Sequence, residues 1–227
     1  MVGRRKYDDG CAVAHGLDLV GERWALLVVR ELLLGPKRFT DLRAGLPGAS
    51  PDVLSQRLRQ LQESGIVRHR RLPPPAGAQV YELTDWGMRL EPIVNGLGRW
   101  AGSSPSLPRH APIGADSLML SLKALFDPGQ AGDVTITAGL RLAGEEFRVT
   151  VAGGEIDLAR GAAEHPDLVI DTDPATLAAL LSGERPLAEA AAAGDLHVTG
   201  SLDTARRFLG LFPRPDPAPL PPAAKTG

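Results

Sequence analysis

The stretch Ser103-Ser104-Pro105-Ser106-Leu107-Pro108-Arg109-His110-Ala111-Pro112 limits the fold more than any other segment of this 227-residue chain. Three prolines fix φ and remove three backbone donors, and three serines add no apolar period, so neither a helix nor a strand can run through it. It reads as a linker over 103–114 between a domain at 1–102 and a second at 115–212. The charge agrees with that division. Residues 1–102 carry 15 Lys+Arg against 11 Asp+Glu, whereas 103–227 carry 10 against 16. The two halves are therefore built to face different partners.

A second proline-rich run, 213–222, cannot form helix or sheet and is expected to be an extended, disordered tail over 213–227. With 43% hydrophobic and 23% charged residues, the rest has the composition of globular domains. A single cysteine excludes a disulfide-stapled fold and fits a reducing compartment. No apolar run reaches the ~18 residues that a bilayer span requires, and no signal-peptide core follows the first residues. The expectation is a cytoplasmic protein with no membrane partner.

In the first domain, Trp24, Leu27, Val28 and Leu32 recur at helical spacing, with Leu26, Val29 and Leu33 on the other side. This predicts a helix over 22–34, buried nearly all round and stopped by Gly35-Pro36. Phe39, Leu42 and Leu46 pin a short helix over 38–46. A turn at 47–49 leads to Ser50-Pro51, a cap followed by a proline where no donor is missed. From there Leu54, Leu58 and Leu61 form one apolar stripe. At 100° per residue Asp52, Gln56, Arg59 and Glu63 point away from it, and Ser55, Arg57 and Gln60 flank it. Gly65 ends this helix, and two strands, 66–72 and 78–83, surround a proline-rich loop.

The basic excess concentrates between residues 37 and 71, with eight basic residues against three acidic ones. A polyanion partner is one reading and a well-solvated surface the other. Two short helices joined by a tight turn, then an arginine-rich hairpin, form the layout that sets one helix in the major groove and the hairpin on the flanking backbone. Lys37, Arg38, Arg68, Arg70 and Arg71 are the candidates for phosphate contact. Ser50, Ser55, Gln56, Arg57 and Arg59 are the candidates along the reading helix, where hydrogen bonds to base edges give sequence choice. For Arg57 the competing assignment is an ion pair with Glu63 or Asp52.

Cys11, Gly21-Glu22-Arg23-Trp24, Arg30-Glu31-Leu32, Gly35, Arg38-Phe39, Asp41-Leu42, Leu54-Ser55-Gln56-Arg57-Leu58, Leu61, Gly65, Val80-Tyr81-Glu82-Leu83-Thr84, Gly87 and Trp100 together resemble the HxlR-type (DUF24) family of bacterial winged-helix transcription regulators. The resemblance covers about residues 8–102. It implies a homodimer on a palindromic operator in double-stranded DNA, with 50–63 as recognition helix and 68–81 as wing. One departure stands out: the family's usual basic residue just before the second wing strand is missing from the loop 75–79.

Thr84 is expected to cap a last helix. Its Leu90, Ile93, Val94, Leu97 and Ala101 form a stripe for a partner helix or for the chain's own second domain. The first option makes Leu90, Ile93, Val94 and Leu97 dimerisation residues. Cys11 reads in two ways, as a small buried hydrophobe or as a thiol made reactive by its surroundings, with Arg4, Arg5 and Lys6 for and Asp8 and Asp9 against. The family resemblance makes it a candidate sensor of oxidants or electrophiles.

The second domain reads as α+β. A helix over 116–126 precedes strands at 134–138, 146–151 and 155–160, which alternate in polarity as an antiparallel meander, and a fourth strand follows at 168–172. Helices at 173–181, 186–193 and 201–211 enclose a short strand at 196–199. The segments Pro166–Asp173, Leu180–Gly183 and Gly194–Leu202 resemble sterol-carrier-protein-2-like (SCP2) domains. That resemblance implies an apolar tunnel for a hydrophobic small molecule, with Leu177, Leu180, Leu187, Phe208, Leu211 and Phe212 either lining it or forming plain core.

Asp171 and Asp173 do not make a catalytic pair, because Asp173 is accounted for as a cap before Pro174. The five histidines show no metal-ligand spacing, and no phosphate-binding or nucleophile-elbow motif occurs. No cofactor, metal or enzymatic activity is expected. The sequence points to a dimeric, ligand-responsive DNA-binding regulator. Its rivals are a lipid-like ligand carrier with a vestigial DNA-binding domain and a redox sensor acting through Cys11.

Overall fold

The computed structural model describes residues 6–108 and 111–219. Arg4, Arg5, the linker residues Arg109 and His110, and the tail beyond residue 219 lie outside the described residues. The chain forms two compact units that divide between Val94 and Asn95.

The first unit begins with α1 (Ala12–Val20), which the sequence reading did not include; Val13 and Leu17 are exposed, Leu19 and Val20 half-buried, and none of its residues is fully buried. The corner 21–24 separates it from α2 (Ala25–Leu32). This helix starts later than its apolar spacing predicts, since Trp24 adopts φ 76° in the left-handed region and cannot continue a helix. Nor is α2 buried all round: Ala25, Val28, Val29 and Leu32 are, but Leu27 is exposed.

The helix-turn-helix pair is α3 (Phe39–Gly45) and α4 (Pro51–Glu63), the latter capped by Ser50, whose hydroxyl oxygen accepts the Val53 N–H at 3.3 Å. Leu54, Leu58 and Leu61 are buried against α2, so α4 keeps one fixed face inward. The wing consists of β1 (Val67–Arg71) and β2 (Gln79–Leu83), antiparallel with Arg68 opposite Glu82. Lys37 extends it by bridging Tyr81 through both backbone hydrogen bonds, at 2.9 and 2.8 Å. Thr84 caps only the single turn α5 (Asp85–Met88), and the longer α6 (Glu91–Gly102) follows separately. A methyl group on Gly87 would lie 2.2 Å from the Ile66 carbonyl oxygen, so only glycine lets this turn pack under the wing.

The second unit takes in the C-terminal part of α6. There the Arg99 Nε donates to the Ala124 carbonyl at 2.9 Å, at the end of α7 (Ala115–Leu125). After the short α8 (Pro128–Ala131) come β3 (Ile136–Leu142), β4 (Glu145–Ala152), β5 (Glu155–Arg160) and β6 (Leu168–Thr172). The helices α9 (Pro174–Leu181), α10 (Leu187–Ala192) and α11 (Leu202–Leu209) enclose β7 (Leu196–Thr199).

The sheet order is β5-β4-β3-β6-β7. The expected meander is present in β3, β4 and β5. The sheet as a whole is mixed and not antiparallel throughout, because β6 crosses over to lie parallel to β3, Leu140 facing Ile170. The first strand also runs four residues further than its alternation suggested, to Leu142, and turns at Ala143 and Gly144 with both φ positive. That is the backbone a tight hairpin requires.

Alternate residues of β3, β4 and β6 are buried, Leu140, Phe147, Val149 and Ile170 completely, so one face of the sheet carries the core. Phe208 and Phe212 stack edge to face at 5.2 Å, and Phe126 lies 6.3 Å from Phe212. Arg160 closes the β5 edge. It bonds Asp116 on α7 and, at 2.6 Å, Glu145, and it lies 5.1 Å over the Phe147 ring. Burial pulls the Arg160 pKa down, but the two carboxylates outweigh it and the net shift is upward.

Residues 213–219 carry no helix or strand, as their prolines require, yet they are held. Arg214 pairs with Glu184 at 3.3 Å, and the Ala218 N–H donates to the Ser103 carbonyl at 2.7 Å.

Candidate nucleic-acid interface

Burying Leu54, Leu58 and Leu61 fixes which side of α4 meets solvent. Gln56 and Arg59 lie there, exposed, and Ser55 sits at the flank, half-buried. The Arg59 guanidinium makes no contact with another described residue, so it is available to a base edge or a phosphate. Ser50 spends its oxygen on the cap. Arg57 belongs elsewhere: only 7% exposed, it donates to Gln60 and reaches Glu22 Oε2 at 3.4 Å. Its expected partners Glu63 and Asp52 are not the ones it takes, because its angle on α4 turns it toward the corner 21–24.

Lys37 is corrected in the same way. Its Nζ lies 2.6 Å from Glu31 Oε2, and both residues are buried. Arg30 holds the other oxygen of that carboxylate at 2.8 Å. A charge taken out of water persists only when so paired, and this pair ties α2 to the residue that bridges the wing. Arg38 and Arg43 remain exposed on α3 and its cap.

On the wing, Arg68 and Arg70 project to one side and converge on a single atom, Glu82 Oε1, at 2.6 and 2.7 Å. Burial pushes the Glu82 carboxyl up, but hydrogen bonds and charge from Arg70 and Arg68 outweigh it, so its pKa falls below the ordinary value. Arg71, on the opposite side, donates its Nε to the Gly77 carbonyl at 3.0 Å and keeps the rest of its guanidinium exposed. The His69 and Tyr81 rings stack beside it at 4.6 Å. Glu82 and Glu31 escaped the sequence reading: both lie outside the basic run 37–71, and composition does not show which basic side chain a carboxylate faces. Only the strand register shows that Glu82 organises two arginines.

Cys11 is exposed at the N-cap of α1, where the Ala14 and then the Val13 backbone N–H groups lower its pKa. The buried-hydrophobe reading is thereby excluded. Along α6, Ile93 is 56%, Leu97 46% and Trp100 75% exposed, while Leu90 and Val94 are half-buried.

In the second unit Leu177, Leu180, Phe208, Leu211 and Phe212 are buried and Leu187 half-buried. Of these, Phe208 and Phe212 meet edge to face. Asp173 caps α9 by accepting the Ala175 and Thr176 N–H groups, and the Thr176 hydroxyl bond lowers its pKa. Among the described residues no group of three or more His, Cys, Asp or Glu is placed to hold a metal ion, and no helix is long and apolar enough to cross a membrane.

A family model described as HxlR-like helix-turn-helix matches residues 19–106. The HTH-type transcriptional regulator YvaP of Bacillus subtilis (strain 168) is 39% identical over 85 residues, 37% of this chain and 79% of its own length. The chain belongs to the HxlR-like helix-turn-helix family. The HTH-type transcriptional regulator YodB of the same organism is 34% identical over 83 residues, 37% of this chain and 74% of its own. The solved reduced form of YodB superimposes with a TM-score of 0.38 at 29% identity, covering 43% of this HxlR-like chain and 97% of that one. The second unit is similar to a different family from the one its segments resembled: a model described as alkyl sulfatase C-terminal matches residues 116–218.

Proposed function

We propose that this HxlR-like protein is a cytoplasmic transcription regulator that binds a palindromic operator in double-stranded DNA as a homodimer. One observation carries the reading: α4 buries its apolar stripe and leaves on the outward side Gln56 and Arg59, the latter with no ion-pair partner among the described residues, with exposed arginines on α3 and the wing. Base-edge contacts from α4 supply sequence choice, and phosphate contacts from Arg38, Arg68, Arg70 and Arg71 supply affinity. The exposed Ile93, Leu97 and Trp100 on α6 support dimerisation, since a row of large apolar side chains in water favours a covering partner. Titrating duplex affinity against salt tests the reading. About six phosphate contacts give a log-log slope near −5, and a flat profile leaves the carrier reading in its place.

The second unit is assigned to effector binding. The alkyl group in the name of the family it matches is in keeping with an apolar ligand in an SCP2-like fold. Such a ligand would have to part Phe208, Phe212 and Leu177, which fill the core. A second reading, regulation by oxidants or electrophiles, is favoured by Cys11 itself, exposed at a helix N-terminus with its thiolate stabilised by two N–H groups.

A further inference from the structure

The corner 21–24 carries none of the DNA contacts proposed above, yet two of its side chains end on α4 or on the turn leading into it. Trp24 stands at φ 76°, ψ −14°. A bulky residue in that region is an outlier that persists only where its surroundings over-determine it. The left-handed turn sends the indole across the turn that precedes α4, where a methyl group on Gly48 would lie 2.8 Å from Cη2. Arg23 covers the ring at 5.2 Å. From the same corner, Glu22 Oε2 takes Arg57 Nη2 at 3.4 Å. Arg57 also holds Gln60, and its Nε is buried with no hydrogen-bond partner among the described residues, so among these Glu22 supplies the carboxylate this buried cation meets.

We infer that residues 21–24 form a positioning element for the reading helix, Trp24 fixing where α4 starts and Glu22, through Arg57, fixing its roll about its own axis. On a helical wheel Arg57 lies at the edge of the buried stripe and Gln56 and Arg59 lie on the far side, so a restraint on Arg57 sets the direction in which the other two point. A helix with its side chains has a radius of about 5–6 Å, so a roll of ~10° shifts a contacting tip by about 1 Å. That takes a hydrogen bond from ~2.9 Å to beyond its useful range. Phosphate contacts from the wing and α3 do not depend on this roll. The expected signature is lost discrimination between sequences with little loss of affinity for DNA in general.

This inference rests on the DNA-binding reading, and the test separates the two. A duplex selected by the wild-type protein from a random pool is compared with a random duplex of equal length, using the full chain, Glu22→Gln and Gly48→Ala. Glu22 is half exposed, so Glu22→Gln leaves the fold intact and is the deciding variant. Gly48→Ala drives the indole off its seat. Each variant is expected to lower the ratio of selected to random affinity about tenfold, equivalent to about 1.4 kcal/mol. Random-duplex affinity should stay within about twofold, and Glu22→Gln should still melt cooperatively, at a lowered Tm because Arg57 loses the carboxylate it pairs with. A wild-type protein with no salt-dependent duplex binding overturns the DNA-binding reading and this inference together. A wild-type protein that discriminates, with a Glu22→Gln variant that discriminates equally or loses both affinities in proportion, overturns the positioning role alone.

Discussion

Replacing Glu82 by glutamine should make the protein bind DNA more tightly while making it fold less well. Glu82 is the one carboxylate in residues 67–83, and it neutralises part of the charge of Arg68, Arg70 and Arg71 by holding the first two on one oxygen. Glutamine keeps the shape and an acceptor but removes the charge. If the released arginine gains one phosphate, the log-log salt slope steepens by about 0.9, which at 0.1 M salt corresponds to roughly eightfold tighter binding. The cost falls on the domain: two charge-assisted hydrogen bonds become ordinary ones, a loss of about 1 kcal/mol that lowers Tm by roughly 4–8 °C for a unit of this size.

The pH dependence follows from the sign of the shift. The folded carboxyl titrates below its unfolded value near ~4.3, so its contribution is complete above that pH and disappears as the pH falls through the depressed value. Wild type and variant should therefore differ most in Tm at neutral pH and converge in acid. Fluorescence anisotropy with a random duplex from 50 to 300 mM salt, beside thermal melts at pH 3 to 7, measures both effects. A variant with an unchanged slope or weaker binding would refute the argument, since Glu82 would then serve to aim the arginines and not to neutralise them.

Arg59→Ala should cost ~1–3 kcal/mol at the selected operator and relax preference at one base pair, and a uniform loss over all sequences would reduce Arg59 to a phosphate contact. Ile93→Asp, at an exposed position on α6, should yield a folded monomer in sedimentation analysis; a species still dimeric at micromolar protein would move the dimer interface elsewhere. Iodoacetamide should alkylate Cys11 with a pH midpoint below the ~8.5 of free cysteine, and a midpoint at or above that value removes the electronic basis of the sensor reading. Phe212→Ala should destabilise the second unit by ~3–5 kcal/mol, seen in denaturant unfolding; a loss under 1 kcal/mol would mean that the Phe208–Phe212 contact closes a ligand space and not a core.

The helix-turn-helix pair, the wing and the longer helices of the second unit, though not the single turn α8, were legible because each rests on local signals: Ser50-Pro51 before α4, Gly65 after it, Asp173-Pro174 before α9. What escaped depends on partners distant in sequence or on backbone states that composition does not announce. Lys37 and Arg57 looked like DNA contacts because the burial of a cation is decided by Glu31 and Glu22, which lie on other elements. The turn at Ala143 was hidden because alanine at positive φ carries no turn signature, whereas Gly153-Gly154 did. The parallel pairing of β6 with β3 is a matter of crossover, and alternation along a strand says nothing about its neighbour. Helix α1 was missed because its nine residues include two alanines and a glycine and bury no residue fully, so they show no clear apolar stripe.

The hydrogen bond between the Ala218 N–H and the Ser103 carbonyl, at 2.7 Å, brings the returning chain beside the end of α6, the helix on which the second unit begins. A module whose way in and way out coincide can be appended to or excised from a host with little geometric demand on the joint. A graft onto an unrelated scaffold should therefore start at Asn95, to keep the Arg99 bond to Ala124, and a reporter fused soon after residue 219 would crowd the point where α6 ends.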